Sequence, residues 1–269
     1  MVDVSIVIVN YQSKDFTLAC IDSIKAADWS DLSFEIIVVD NNSGDGIGGL
    51  LNSENRDVKF IQSAENNGMG AGNNLGFKVA QGKYFVVMNP DTIASVDTFK
   101  KLFEYLEKNP EVGVVAPQLL YPDGTVQNSC FRWYGIMTPA FRRTPLGRLK
   151  IGQKDLSRFL MEDYDRKTER EVDWLMGSFL FCRAEALKQI NYFDEQYFMY
   201  FEDTDLSRSL WNQGWRVIYY PEVKVIHNHM RQSAKIAWYK FMGSKSARWH
   251  IYSWFKYIIK WGPGLPKSK

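Results

Sequence analysis

The feature that most constrains this chain is a run of short, β-branched apolar segments alternating with helix-like segments through residues 4–116. Val4–Val9 (VSIVIV), Glu35–Val39 (EIIVV) and Tyr84–Met88 (YFVVM) are apolar along almost their whole length. Such runs suit strands covered on both faces, as in parallel sheets. Val58–Ile61 reads as a shorter strand and Val112–Ala116 as a further one. Lys14–Ala26, Gly72–Ala80 and Phe99–Lys108 read as the intervening helices, and Asn41–Gly49 as a polar loop. Strand and helix in alternation call for a doubly wound, mostly parallel α/β sheet with right-handed crossovers. Ligands of such sheets bind beyond the carboxyl ends of the strands. Asn10-Tyr11, Asp40 and Asn89–Asp91 stand at such ends and are expected to meet at one crevice.

After Pro117 the pattern breaks. Residues 131–171 read as a long loop rich in Arg, Lys, Pro and Gly, and loops of that length are commonly functional. Regular structure is expected again over Val172–Arg183, Thr204–Gln213 (helix) and Trp215–Tyr220 (strand), with a helical region over 235–261.

Four clusters carry chemistry. Asn10 and Tyr11, with Asp40 and Asn42, offer an aromatic face and a carboxylate for a base; a strand-end Asp also simply caps turns. The glycine-rich stretch 66–76, with Asn67, Gly68, Gly72 and Asn73, would let backbone approach a phosphate at a helix start. It is not the dinucleotide fingerprint, because the first βα turn lacks that pattern. Asn89-Pro90-Asp91 is either a plain turn or a carboxylate for a hard divalent cation. Glu202, Asp203 and Asp205 follow an aromatic stretch, and Glu202 or Asp203 beside those apolar rings would have the raised pKa a general base needs. Acids at a helix start are otherwise ordinary dipole partners. His227 closes an apolar run and could join Asp91 on a metal, or be structural.

Of 33 basic residues, ten lie within 223–269, where no acid occurs; the remaining 23 face 31 acids. An acidic body with a basic tail suits an anionic surface. On a helical wheel Ile251, Trp254, Phe255, Ile258 and Trp261 share one face, with Lys245, Arg248, Lys256 and Lys260 on the other. That composition fits in-plane membrane binding over 235–261, against packing on the domain or on a second subunit as a homodimer. Arg142, Arg143, Arg148 and Lys150 add to that surface or meet an acceptor diphosphate. No recognition motif for nucleic acid is present. Three scattered cysteines form no disulfide framework. No run reaches spanning length, and no signal peptide is evident. A cytoplasmic, peripheral location at the inner face of the plasma membrane follows as the expectation.

The segments VSIVIVNY, VVDNNSGD, NNGMGAGNNLG, VVMNPD, DWLMGSFLFCR, FDEQYFMYFEDTDLSRSLWNQGW and YYPEVKVIHNH, in this order, resemble glycosyltransferase family 2, more closely its rhamnosyltransferase-like branch. The resemblance implies a Rossmann-like GT-A fold over 1–230, with a nucleotide-binding half (1–116), an acceptor-binding half (117–230) and a basic, aromatic helical tail (231–269). It implies an inverting glycosyltransferase with a nucleotide-sugar donor and Mg²⁺ or Mn²⁺. In that reading Tyr11 and Asp40 contact the base, and Asn73 with its glycines forms the donor loop. Asp91 and His227 hold the metal, and Asp203, paired with Glu202, is the base. Trp174, Gly177 and Arg208 shape the acceptor and sugar pocket. Asn89 stands where the family's DXD motif has its first acid, which removes one charged ligand. The Asn-Pro-Asp form points to dTDP-rhamnose, transferred to a glycan acceptor on a polyprenyl diphosphate in cell-surface polysaccharide synthesis. UDP-galactofuranose, UDP-glucose or UDP-N-acetylglucosamine as donor is the alternative, and a non-catalytic nucleotide-sugar-binding protein the second.

Overall fold

The computed structural model describes residues 2–53, 57–228 and 244–266. His229 and the first part of the expected tail helix, up to residue 243, lie outside them. The first half runs β1 (Val4–Asn10), α1 (Lys14–Lys25), β2 (Phe34–Asp40), α2 (Ile47–Ser53), β3 (Lys59–Gln62), α3 (Gly68–Phe77), β4 (Tyr84–Met88), β5 (Thr92–Ala94), α4 (Thr98–Lys108) and β6 (Val112–Leu120). There follow β7 (Cys130–Phe131), α5 (Thr138–Arg143), α6 (Lys150–Phe159), β8 (Arg170–Glu171), β9 (Trp174–Leu175), β10 (Phe179–Arg183), α7 (Ala184–Gln189), α8 (Glu202–Asn212), β11 (Arg216–His227) and α9 (Lys245–Trp261).

The expected α/β sheet is present. Its order is β3-β2-β1-β4-β10-β6-β11-β5, with β8 added on β11. β1, β2, β3 and β4 are parallel, with Asn10 beside Asp40 and Val7 beside Val87. β10 enters between β4 and β6, antiparallel to both, so the second half of the chain completes the sheet of the first. The β-branched runs are buried on both faces, as their composition requires.

Three local expectations change. The helix expected at Gly72 begins at Gly68, and its glycines serve packing. A Cβ on Gly76 would lie 2.4 Å from Val7 Cγ1, and one on Gly72 2.8 Å from Val9 Cγ1. α3 therefore lies directly on β1. Gly76→Ala is expected to lose about 1–2 kcal/mol, because overpacking against a buried β-branched residue exceeds the gain in helix propensity. Urea unfolding of the variant against the parent measures this; an unchanged midpoint would contradict the close packing.

The segment 131–171 is not a loop. Pro139 stands in the first turn of α5, and α6 buries Phe159 in an aromatic cluster with Phe131, Trp133 and Trp174. Finally, the tail helix packs on the domain. Ala247, His250, Ser253 and Tyr257 are buried, and Trp254, Ile258 and Trp261 join Tyr197 and Phe201. The apolar face expected to meet a membrane is thus split: Ile251 and Phe255 stay exposed, whereas Trp254, Ile258 and Trp261 face the protein. Lys256 and Lys260 are not on a free polar face either. Lys256 donates to the Gln196 carbonyl, and Lys260 bridges Asp194 and Asp205.

Candidate active site

A cavity of about 590 Å³ opens where β4, β9, α8, β11, α5 and α9 meet. Asn89 and Asp91 line it from the end of β4, Trp174 from β9, Glu202 and Asp203 from the start of α8, and His227 from the end of β11. Residues far apart in sequence therefore share one cavity, although of the strand ends expected to meet only Asn89 and Asp91 line it.

The acidic pair is aimed by a strained turn. Tyr200 and Phe201 both adopt left-handed backbone, at φ 67° and 69°, at a cost on the order of 1–3 kcal/mol each. α9 holds that turn. Tyr200 Oη and Ser246 Oγ lie 2.6 Å apart, Ser253 Oγ donates to the Met199 carbonyl at 2.8 Å, and Phe198 stacks on Trp249.

Asp203 accepts the Gly177 N–H at 3.1 Å and the Thr204 N–H at 2.7 Å. Glu202 Oε2 is buried without a hydrogen-bond partner. Burial pushes Asp203 above the ordinary carboxylate range, and burial together with the Asp203 charge pushes Glu202 up to about 8. Two donors favour the charge on Asp203, so through neutrality the pair holds one proton, on Glu202. Donor affinity is expected to fall as pH rises through about 8, when Glu202 ionises and two charges face an anionic ligand. Titration of a nucleoside diphosphate into Glu202→Gln should lack that fall; a fall that persists would move the charge change elsewhere.

His227 is fixed from behind. Gln127 Nε2 donates to the His227 carbonyl, and Gln127 Oε1 lies 2.8 Å from Nδ1. Gln127 Oε1 accepts from Nδ1, which leaves Nε2 facing Asp91 Oδ1, 3.4 Å away. A nitrogen and a carboxylate oxygen converging in this way fit a divalent cation. Among the described residues no third His, Cys, Asp or Glu joins them, so the other positions suit waters and ligand phosphates. Gln127 was not legible in the sequence; only its place behind His227 reveals it.

Other expected site residues lie elsewhere. Asn10, Tyr11, Asp40, Asn42, Asn67, Gly68, Gly72 and Asn73 do not line the cavity. Asp40 is buried and accepts from Asn10 Nδ2, Ser43 Oγ, Ser43 N and Gln62 Nε2. Those four bonds tie Asp40 and the buried Asn10 across the β1–β2 ends. Tyr11 and Asn42 remain exposed there, Tyr11 at 48 %. Gly68, at φ 90°, abuts the Phe198 carbonyl, where a Cβ would be 2.0 Å away, and so seats the strained turn on α3. Asn73 donates to the Met69 carbonyl inside the helix. Gly177 N–H donates to the Asp203 carboxylate. Arg208 turns away from the cavity, to Tyr257 Oη and the Trp261 carbonyl.

Residues 5–190 match the glycosyl transferase family 2 profile. The chain belongs to glycosyltransferase family 2. This family 2 protein is similar to rhamnosyltransferase WbbL of Escherichia coli K12, at 26 % identity over 96 % of the chain and 93 % of that protein. It is equally 26 % identical to N-acetylglucosaminyl-diphospho-decaprenol L-rhamnosyltransferase of Mycobacterium tuberculosis, over 74 % of the chain and 68 % of that protein. The mannosyltransferase PcManGT of Pyrobaculum calidifontis, solved with GDP-Man and Mn²⁺, superimposes with a TM-score of 0.64 at 17 % identity, over 98 % of the chain and 65 % of that structure. GalNAc-T7, solved with UDP, GalNAc and Mn²⁺, gives 0.66 at 14 %, over 86 % and 44 %. The chain thus spans less than two thirds of these solved proteins, and the likeness establishes the GT-A fold of this family 2 member. No helix among the described residues is long and apolar enough to cross a membrane.

Proposed function

We propose that this family 2 protein is an inverting, metal-dependent rhamnosyltransferase that moves L-rhamnose from dTDP-rhamnose to a hydroxyl of a glycan carried on a polyprenyl diphosphate. The observation that carries transfer chemistry is the Asp203 carboxyl, held by two N–H donors in the cavity shared with Asp91 and His227. The two rhamnosyltransferase relatives support the donor, and the mycobacterial relative's name supports the acceptor.

Asp203 Oδ takes the proton of the acceptor hydroxyl as that oxygen attacks the anomeric carbon opposite the leaving diphosphate. Inversion follows from a single displacement. Glu202, protonated, leaves one negative charge beside the reacting oxygen. The stacked Phe131, Trp174 and Tyr134 rings offer apolar faces to a sugar. Tyr11 and Asn42, on the neighbouring strand ends, are assigned to the nucleobase. A divalent cation on Asp91 and His227, Mg²⁺ or Mn²⁺, would supply Lewis-acid stabilisation of the departing diphosphate.

Asp91→Ala is expected to weaken Mn²⁺-dependent dTDP binding by about tenfold or more. Calorimetry with and without Mn²⁺ measures this; equal metal enhancement in both proteins would remove Asp91 from the ligand set. The exposed Ile251, Tyr252, Phe255 and Ile259 of α9 support a peripheral seat on the inner membrane face. Incubation with dTDP-rhamnose, UDP-galactofuranose, UDP-glucose and UDP-N-acetylglucosamine, each with a prenyl-diphosphate-linked N-acetylglucosamine acceptor, tests the whole reading. Product from dTDP-rhamnose alone is expected; product only from a UDP-sugar would replace the donor.

A further inference from the structure

Part of the cavity lining is basic. Arg142 and Arg143 of α5 and His250 of α9 all line it. Their positions are organised. Arg142 Nη1 donates to Tyr134 Oη at 2.7 Å, and its guanidinium lies 4.9 Å from the Phe159 ring centre. Tyr134 in turn packs 4.8 Å from Phe201, next to the acidic pair. Arg143 is partly buried beside Arg142, and burial, then that neighbouring charge, pushes it below the usual arginine range. Burial and the two arginines push His250 down to about 3, so its imidazole is neutral. Two guanidiniums gathered in one cavity repel each other, and an anion between them would relieve the repulsion.

The same excursion is amphiphilic outside the cavity. Residues 131–160 hold seven basic residues and one acid. Ile136, Met137, Leu146, Leu149 and Ile151 are exposed there, Ile151 at 69 %. Scattered exposed apolar residues need no explanation, but five within sixteen positions around two arginines do. Positive charge beside exposed aliphatic side chains matches a ligand with phosphates joined to a hydrocarbon chain.

We infer that α5, α6 and α9 form a lipid-diphosphate subsite: Arg142, Arg143 and His250 take the diphosphate of the acceptor, and the aliphatic residues of 136–151 receive its prenyl chain. The inference rests on the transferase reading and deepens it. It assigns this diphosphate to the acceptor rather than the donor, because the proposed function already gives the donor diphosphate to the cation held by Asp91 and His227. It also makes the α5–α6 excursion, besides the tail, the lipid-facing part of the chain.

The test uses the full chain and three acceptors: N-acetylglucosamine on a long prenyl diphosphate, on a short prenyl diphosphate, and on a long alkyl ether without phosphate. The parent protein is expected to prefer the diphosphate over the ether by at least about tenfold in kcat/KM, on the scale of one charge-assisted contact. Arg142→Gln/Arg143→Gln should shrink that preference at least fivefold, mainly through acceptor KM. Leu149→Ser/Ile151→Ser should shrink the preference for the long chain over the short. Should the double arginine variant fail to fold, Arg143→Lys, which keeps charge and loses the bidentate fork, gives the same comparison. A parent with no preference for phosphate would overturn the subsite, as would an arginine variant that raises donor KM and leaves acceptor preference intact. No transfer to any acceptor from any donor would instead sink the transferase reading itself.

Discussion

Asp203→Asn is expected to lower transfer by about a thousandfold while nucleotide binding changes little. General-base catalysis contributes on the order of 10²–10⁴, and an amide keeps the shape of the carboxylate without taking a proton. The surroundings sharpen the effect. Asp203 accepts the N–H groups of Gly177 and Thr204, so an asparagine keeps one of these bonds and turns an NH₂ toward the other donor. Glu202 cannot substitute readily, since burial and its neighbour keep it protonated to about pH 8. Rate and dTDP affinity measured on the same preparation separate the outcomes. Near-parental turnover would take the base role away from Asp203; lost affinity would make it a binding residue. In the parent protein, turnover should also be lost as pH falls through the raised pKa of Asp203, above the range of an ordinary exposed carboxylate.

Removing residues 244–269 is the second large effect. A helix that served only a membrane would leave the remaining domain intact in solution. Here α9 is joined to α8 through charge and packing. Asp205 is 2 % exposed and accepts from Lys260 Nζ at 2.8 Å and from Trp261 Nε1 at 2.6 Å. Burial raises its pKa, and Lys260 counters that shift. Arg208 loses Tyr257 Oη and the Trp261 carbonyl at the same time. Losing these bonds together with the apolar packing of α9 on Tyr197 and Phe201 costs on the order of 3–5 kcal/mol, a large part of typical domain stability. The strained turn at Tyr200-Phe201 also loses its strap. The truncated chain is expected to unfold well below the full chain in a thermal melt and to lose transfer activity. A truncated chain with the parental melting temperature would contradict the docked helix.

The sequence made the sheet legible because its strands are buried on both faces and so consist almost wholly of Val, Ile and aromatic residues. It also made two strand ends that line the cavity legible, through Asp91 just past β4 and His227 at the end of β11. Three things were not legible, each for a physical reason. β10 carries no sign that it inserts between β4 and β6, because strand order depends on long-range pairing. The glycines of 66–76 look alike whether they face a phosphate or a neighbouring strand; only Val7 and Val9 beneath them decide. The tail helix has apolar residues around most of its circumference, so the wheel did not show which arc meets protein. Arg208 was assigned to a sugar for the same reason: a helix-borne arginine faces whatever packs beside it, and Tyr257 and Trp261 lie 49 and 53 residues away.

A crystal structure of the full chain with dTDP-rhamnose and Mn²⁺ tests the shared site most directly. The expected result places Mn²⁺ between Asp91 and His227, in contact with the diphosphate, with the base at Tyr11 and the anomeric carbon turned toward Asp203. A nucleotide bound away from these residues, or a metal that touches neither Asp91 nor His227, would contradict a single sugar-diphosphate site built from the β4 end, β11 and α8.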